Sequence, residues 1–337
     1  MKSTRITSIL IISTIAAISQ AQTYVAQEVS TGGFANDISG GIVGGSFANH
    51  AVLWNGTNMV DIHPSGSSFS AVLGRSGNLS VGYAGTGALA QNAVLWNGTV
   101  PSTLPIPFAY VSARGIGTDG VQIVGYGTEG NPERGAGAQH ALLWDVLTGS
   151  VVDLGKNMQI NGVGGGQQAG GRFGSKGVTA GFWSGSGNTF VSLHPSFADV
   201  SVACGANGTI QVGYYGVDIR VRNEARPRDI RFYSAGYWTG TAASFNYLPS
   251  AYRHSFALGI KGDTIVGYGN TSDAIGTPKD SHAVAWIGEA HDYVDLHAML
   301  PADMRTSRAT GVDELGNIVG YGVTNAGLVK SFVWVRL

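Results

Sequence analysis

Every tryptophan in this 337-residue chain closes the same short phrase: Ala51-Val-Leu-Trp54, Ala93-Val-Leu-Trp96, Ala141-Leu-Leu-Trp144, Ala180-Gly-Phe-Trp183, Ala235-Gly-Tyr-Trp238, Ala283-Val-Ala-Trp286 and Phe332-Val-Trp334. The spacings are 42, 48, 39, 55, 48 and 48 residues, a period near 47. Self-similarity on that scale marks a repeat architecture and overrides any local guess at the fold. A second mark precedes each Trp: Val43-Gly44, Val81-Gly82, Val124-Gly125, Ala169-Gly170, Val212-Gly213, Val266-Gly267 and Val319-Gly320. These runs are short, rich in β-branched and aromatic residues, and bounded by Gly, Asn and Asp, as strands are.

Asn-Gly follows Trp54 and Trp96, a strong hairpin signal because both residues tolerate positive φ. Beyond the turn comes another β-like run, such as Met59-Val-Asp-Ile62 or Tyr293-Val-Asp-Leu296. Each period therefore predicts four short antiparallel strands: a small-residue strand, the Val-Gly strand, the Trp strand and the Val-Asp-Leu strand. Repeated seven times, this is an all-β, seven-bladed β-propeller. The chain stops at Leu337, three residues past the last Trp, so the seventh copy lacks a fourth strand. The run Tyr24 to Val29 is expected to supply it and close the ring, which removes an exposed sheet edge.

The copies His50-Ala-Val-Leu-Trp54, His140-Ala-Leu-Leu-Trp144 and His282-Ala-Val-Ala-Trp286, each preceded by Val-Gly, resemble the bacterial extracellular HAF-repeat proteins. The likeness covers about residues 33–337. Val or Leu stands after His-Ala here, and four of the seven copies lack the His. The resemblance implies secretion and a β-repeat fold and brings no catalytic residue with it.

Residues 1–21 read as a secretory signal, with basic Lys2 and Arg5, an apolar stretch from Ile6 to Ile18, and Ser19-Gln20-Ala21 as the small-x-small cleavage site. Residues 22–337 are then one propeller domain, expected to be secreted to the extracellular space or periplasm as a monomer with no transmembrane segment. Without Lys2 and Arg5 the charge is 18 basic against 21 acidic groups, or −3, which gives no pull on phosphate backbones, so no nucleic-acid partner is expected. The single cysteine, Cys204, can form neither an intrachain disulfide nor a structural zinc site. No metal or cofactor is expected: Gly162-Val-Gly-Gly-Gly166 lacks the Gly-Lys-Ser/Thr ending of a phosphate loop.

Six of the eight His recur at fixed places in the repeat. His50, His140 and His282 stand four residues before Trp; His63, His194 and His297 follow the Val-Asp-Leu strand. Equivalent positions in different blades are spread round a ring and cannot converge on one ion, so a structural role is expected. The Trp themselves read as packing wedges between sheets.

Function is expected where the copies differ. From the Val-Gly glycine to Trp the seven copies take 10, 14, 19, 13, 25, 19 and 14 residues, so the connection between second and third strands varies most. It emerges on the same face as the connections between blades, and insertions on one face mark the binding face. That face carries the candidate ligand-binding residues Tyr110, Glu133, Arg134, Arg226, Arg228, Tyr252, Arg253, His254 and Arg305. Arg side chains there suit carboxylate or sulfate groups; alternatively the Arg and acidic residues of 218–231 pair with one another. Tyr252-Arg253-His254 holds the residue types of an elimination, a base and a cation, although neighbours on an extended strand alternate sides, so at most Tyr252 and His254 share a face. The expected function is a secreted binding module for carbohydrate or another extracellular or envelope polymer. A polysaccharide lyase or hydrolase acting on an acidic glycan at the same face, and a protein-interaction scaffold, are the alternatives.

Overall fold

The computed structural model describes residues 24–87, 90–107, 110–131, 135–221, 228–272 and 278–337; the expected signal segment lies outside them. The chain forms seven four-stranded antiparallel sheets, each a simple meander. Blade 1 is Gly33–Ser39, Ile42–Phe47, His50–Asn55 and Asn58–Asp61. Blade 7 is Met304–Val312, Ile318–Thr324 and Val329–Arg336, with Tyr24–Thr31 as its fourth strand. Tyr24 pairs with Arg336 and Ala26 with Trp334, so the N-terminal strand closes the ring as expected. Among the described residues the helical segments are three 3-10 turns of three residues, and no helix is long and apolar enough to cross a membrane.

The seven Trp side chains are at most 1% exposed. They sit between sheets, and several bond across the junction: Trp96 Nε1 donates to Ile62 O at 2.8 Å and Trp334 Nε1 to Leu296 O at 2.9 Å. A polar latch runs alongside. The serine of one blade's first strand accepts the Ala N–H of the preceding blade's third strand, as in Ala51 to Ser70 (2.7 Å), Ala180 to Ser201 (2.8 Å) and Ala283 to Ser307 (2.9 Å). The same hydroxyl is hydrogen-bonded to the His that ends the preceding blade: His63, His194 and His297, at 2.7, 2.8 and 2.7 Å. The serine spans the junction.

The first strand of every blade lines the axis and carries a bulge at one place, between Ala35 and Asp37, Val72 and Gly74, Gly115 and Gly117, Ile160 and Gly162, Ala203 and Gly205, Ala257 and Gly259, and Ala309 and Gly311. A bulge bends its strand and re-aims the extra residue. The bend also explains the Val-Gly mark. A methyl at Gly82, Gly125, Gly170, Gly213, Gly267 or Gly320 would run into the first-strand carbonyl of Ala71, Arg114, Gln159, Val202, Phe256 or Arg308. Glycine is required there by the backbone that crosses it.

Candidate functional site

Seven bulge residues ring the axial channel: Asn36, Leu73, Ile116, Asn161, Cys204, Leu258 and Thr310. The polar members tie blades together, Asn36 Nδ2 donating to Val72 O at 2.7 Å, Asn161 Nδ2 to Ala203 O at 2.8 Å and Thr310 Oγ1 to Ala35 O at 3.2 Å. Each acceptor is the residue just before the next blade's bulge. The Cys204 thiol lies in this ring, and burial pushes it up to about 12, which keeps it protonated and unreactive.

Two residues before each bulge, on the face of the second-to-third-strand connections, stand Phe34, Ala71, Arg114, Gln159, Val202, Phe256 and Arg308. Strand two supplies Tyr83, Tyr126, Tyr214, Tyr268 and Tyr321 at the paired level. Residues of the two sets stack across blade junctions. Phe34 meets Tyr321 edge-on with ring centres 5.2 Å apart, and Phe256 meets Tyr214 at 4.9 Å. The Arg114 guanidinium lies over the Tyr83 ring at 4.5 Å and that of Arg308 over Tyr268 at 4.4 Å. The result is an aromatic funnel, and on its blade 4 to 6 side lies a cavity of about 290 Å³ whose lining includes Gln159, Tyr214 and Tyr268. Burial raises the Tyr214 and Tyr268 phenols above their ordinary range, so both are neutral donors at physiological pH.

Arg114 and Arg308 are only half-buried, and their polar contacts are neutral: Arg114 Nε donates to Gln91 Oε1, and Arg308 Nε to Ser281 Oγ at 3.3 Å. Neither forms an ion pair among the described residues. Blades 3 and 7 stand nearly opposite each other in the ring, and the two guanidiniums lie at their junctions with blades 2 and 6. A guanidinium held flat on a ring keeps its N–H fork aimed outward for a carboxylate or sulfate.

The residues singled out on the outer rim are placed differently. Tyr110 is buried, its hydroxyl donating to Asp153 Oδ2 at 2.7 Å, with His140 Nδ1 on the same oxygen at 2.8 Å. Tyr252 turns onto its own blade, 2.7 Å from His282 Nδ1 and 3.4 Å from Asp295 Oδ2. Burial and Asp295 push its phenol up to about 12, away from duty as a base near neutrality. His254 turns the other way, fully buried beside blade 5 and stacked on Phe232 with ring centres 5.4 Å apart. Arg253 is exposed and covers the same Phe232 ring at 4.6 Å. Tyr252 and His254 thus share no face, because the first strand of blade 6 begins at His254 and the two side chains leave it toward different sheets. Arg305 is exposed and lies 3.6 Å from Asp280. Of the Arg-rich copy-five connection, Asp218 and Arg231 pair at 2.6 and 2.8 Å and Arg220 lies 3.8 Å from Asp229, so these charges answer one another. Glu133, Arg134 and Arg226 lie outside the described residues, as does the Arg228 side chain.

The His before Trp joins a carboxylate: His50 Nδ1 to Asp61 Oδ2 at 2.7 Å, with His63 stacked on it at 3.9 Å. His282 and His297 stack at 3.7 Å in the same way. All six repeat His are thus engaged within or between blades, and no group of three His, Cys, Asp or Glu suited to a metal occurs among the described residues.

The opposite mouth of the channel is a cavity of about 440 Å³ lined by the bulge residues, glycine backbone and the charged side chains of Asp37, Arg75, Asp119 and Lys261. Following the bulge, six blades carry Gly74, Gly117, Gly162, Gly205, Gly259 and Gly311; blade 1 carries Asp37. Its carboxylate accepts the N–H of Ile38 at 2.9 Å and of Arg75 at 2.7 Å. Burial outweighs these bonds and raises it from 3.8 to about 7. Glu314, bonded to Ser39 and Gly40, and Asp313, bonded to Gly41, clasp blade 7 to blade 1 beside it.

Sequence reasoning missed the funnel. The available signal was the position two residues before the bulge, the one place in the first strand where Phe, Arg, Gln and small residues alternate between copies. It could be aligned only by knowing where the bulge falls.

Fold and axis together define a closed seven-bladed propeller with an aromatic, guanidinium-bearing mouth. Among solved structures, the tricorn protease superposes with a TM-score of 0.56 at 9% identity over 95% of this chain, which spans only 35% of that one. The polysaccharide lyase Uly1 superposes with a TM-score of 0.52 at 10% identity, covering 96% of this chain and 94% of the lyase. At these identities the likeness is one of fold. No protein-family model and no curated protein matches the sequence.

Proposed function

We propose that this chain is an exported, non-catalytic binding module of the HAF-repeat kind, and that it holds an acidic extracellular polysaccharide in its axial funnel. The supporting observation is the pair Arg114 and Arg308: two half-buried guanidiniums laid on tyrosine rings, opposite each other and unpaired with any described carboxylate. Tyrosine faces stack on sugar rings while the guanidinium takes a carboxylate or sulfate bidentately. An eliminating or hydrolysing reading fits less well, because the Tyr252 hydroxyl is bonded to His282 and raised to about 12 while His254 is buried under Phe232 and Arg253. The test is affinity electrophoresis of the purified protein against alginate, carrageenan and neutral dextran. Retardation by a charged polymer but not by dextran is expected, and loss of each Arg to Ala weakens binding by roughly tenfold or more, as one charge-assisted contact is worth about 1.5–3 kcal/mol. No retardation by any charged polymer overturns the reading, and absorbance of an unsaturated product during incubation favours the lyase instead.

A further inference from the structure

The face bearing the funnel is not level. Counted beyond the residue paired with Trp, the second strand of blade 5 runs ten residues past Gln211 to Val221, still paired at Val221 with Arg228. Blade 3 runs eight, Ile123 to Asn131. Between them blade 4 runs six, Gln168 to Gly174, before turning back at Gly177. Four residues at about 3.3 Å each put the blade 5 hairpin roughly 13 Å beyond its neighbour. Blade 1 runs only four, Val43 to Phe47. In a ring of seven, blade 4 looks across the axis at the junction of blades 7 and 1. Blades 2 and 6 run seven, Ser80 to Gly87 and Ile265 to Ser272, and blade 7 six, Ile318 to Thr324. The face is therefore lowest at blade 4 and, opposite it, at blades 7 and 1, with blades 2 and 3 on one flank and blades 5 and 6 on the other.

Both low sides carry an exposed aromatic ring. Phe173 of blade 4 is 47% exposed, and Phe34 of blade 1 is 41% exposed against Tyr321 of blade 7. Both are also cationic, with Arg172 exposed over Phe190 in blade 4 and Arg308 in blade 7. The carboxylates close to the blade 4 end are neutralised, Asp199 by Lys176 at 2.6 Å and Asp218 by Arg231. An aromatic path with cations along it thus enters at blade 4, crosses the funnel between Arg114 and Arg308, and leaves at blade 1.

We infer that this is an open-ended trough for the interior of a linear acidic polysaccharide, engaging several consecutive sugars and no chain terminus. The inference rests on the acidic-polymer reading and adds to it the direction of the chain and indifference to its ends. A pocket for a chain end needs a wall where the polymer stops; here the floor passes out at both sides.

The test uses the full chain with alginate and carrageenan as long polymers, the tetrasaccharide of each, and the same polymers with a bulky protein coupled to their ends. The expected results are equal binding of free and end-blocked polymer, and binding of the tetrasaccharide at least about tenfold weaker per chain. Phe173→Ala and Phe34→Ala should each weaken polymer binding by up to about tenfold, the scale of one lost aromatic contact, and Phe173→Ala, which lies outside the funnel, should leave tetrasaccharide binding within about twofold. Equal affinity for tetrasaccharide and polymer, loss of binding on end-blocking, or indifference to both Phe substitutions overturns the trough while leaving the funnel reading intact. No binding of any charged saccharide by a normally melting protein overturns the funnel reading itself.

Discussion

At the scale of single residues, Asp37 stands out because six equivalent positions are glycine. Its carboxyl is raised from 3.8 to about 7, so the folded state favours the protonated form. The associated stability is complete below about pH 4 and is lost as pH rises through 7. About three decades of pH at about 1.4 kcal/mol each set a ceiling of roughly 4 kcal/mol on the effect. Asp37→Asn is expected to melt higher relative to wild type as the buffer goes from pH 5 to pH 8; parallel pH profiles for the two proteins would refute the assignment. Gly213 is a second such residue. A side chain there meets the Val202 carbonyl oxygen, and Gly213→Ala should cost about 1–3 kcal/mol or more in a denaturant melt, as overpacking does.

At the scale of elements, the junction between blades is the unit that matters. Ser307 joins Ala283 of blade 6 and His297 to the first strand of blade 7. Ser307→Ala leaves a buried N–H without its acceptor, and a loss of about 1–3 kcal/mol is expected by urea unfolding. Burial, with His282 beside it, lowers the His297 imidazole below its usual range, so folding favours its neutral form. That contribution is present above about pH 6.5 and fades as the pH falls, opposite in sign to Asp37. Relative to wild type, His297→Asn should therefore lose less stability between pH 7 and pH 5. Strand types, turns and the Trp register were legible in the sequence because each depends on neighbours along the chain. The partner of a histidine was not, since Ser70, Ser201 and Ser307 belong to the following copy and look like ordinary strand serines.

At the scale of the whole molecule, stability depends on closure. Trp144 is fully buried between sheets, and Trp144→Ala is expected to cost about 3–5 kcal/mol. Removal of residues 24–31 uncovers the edge of Val329–Arg336 and the packing around Tyr24, so the cooperative melt should be lost and soluble association appear. A synthetic peptide of residues 22–31 added back should restore the melt; an unchanged melt without the strand would contradict closure by pairing.

The period, the blade count, the closing strand and the face where copies diverge were determined by the sequence alone, because a repeat stacks on copies of itself and its pattern is printed seven times. Which residues work on that face was decided only by tertiary structure. The bulge aims one first-strand residue into the channel and sets another, two places earlier, against a tyrosine from the neighbouring blade. Arg114 and Arg308 are 194 positions apart and stand on nearly opposite sides of one mouth because a ring closes. Tyr252 and His254 are two apart, yet they part because a strand beginning at His254 sends them to different sheets.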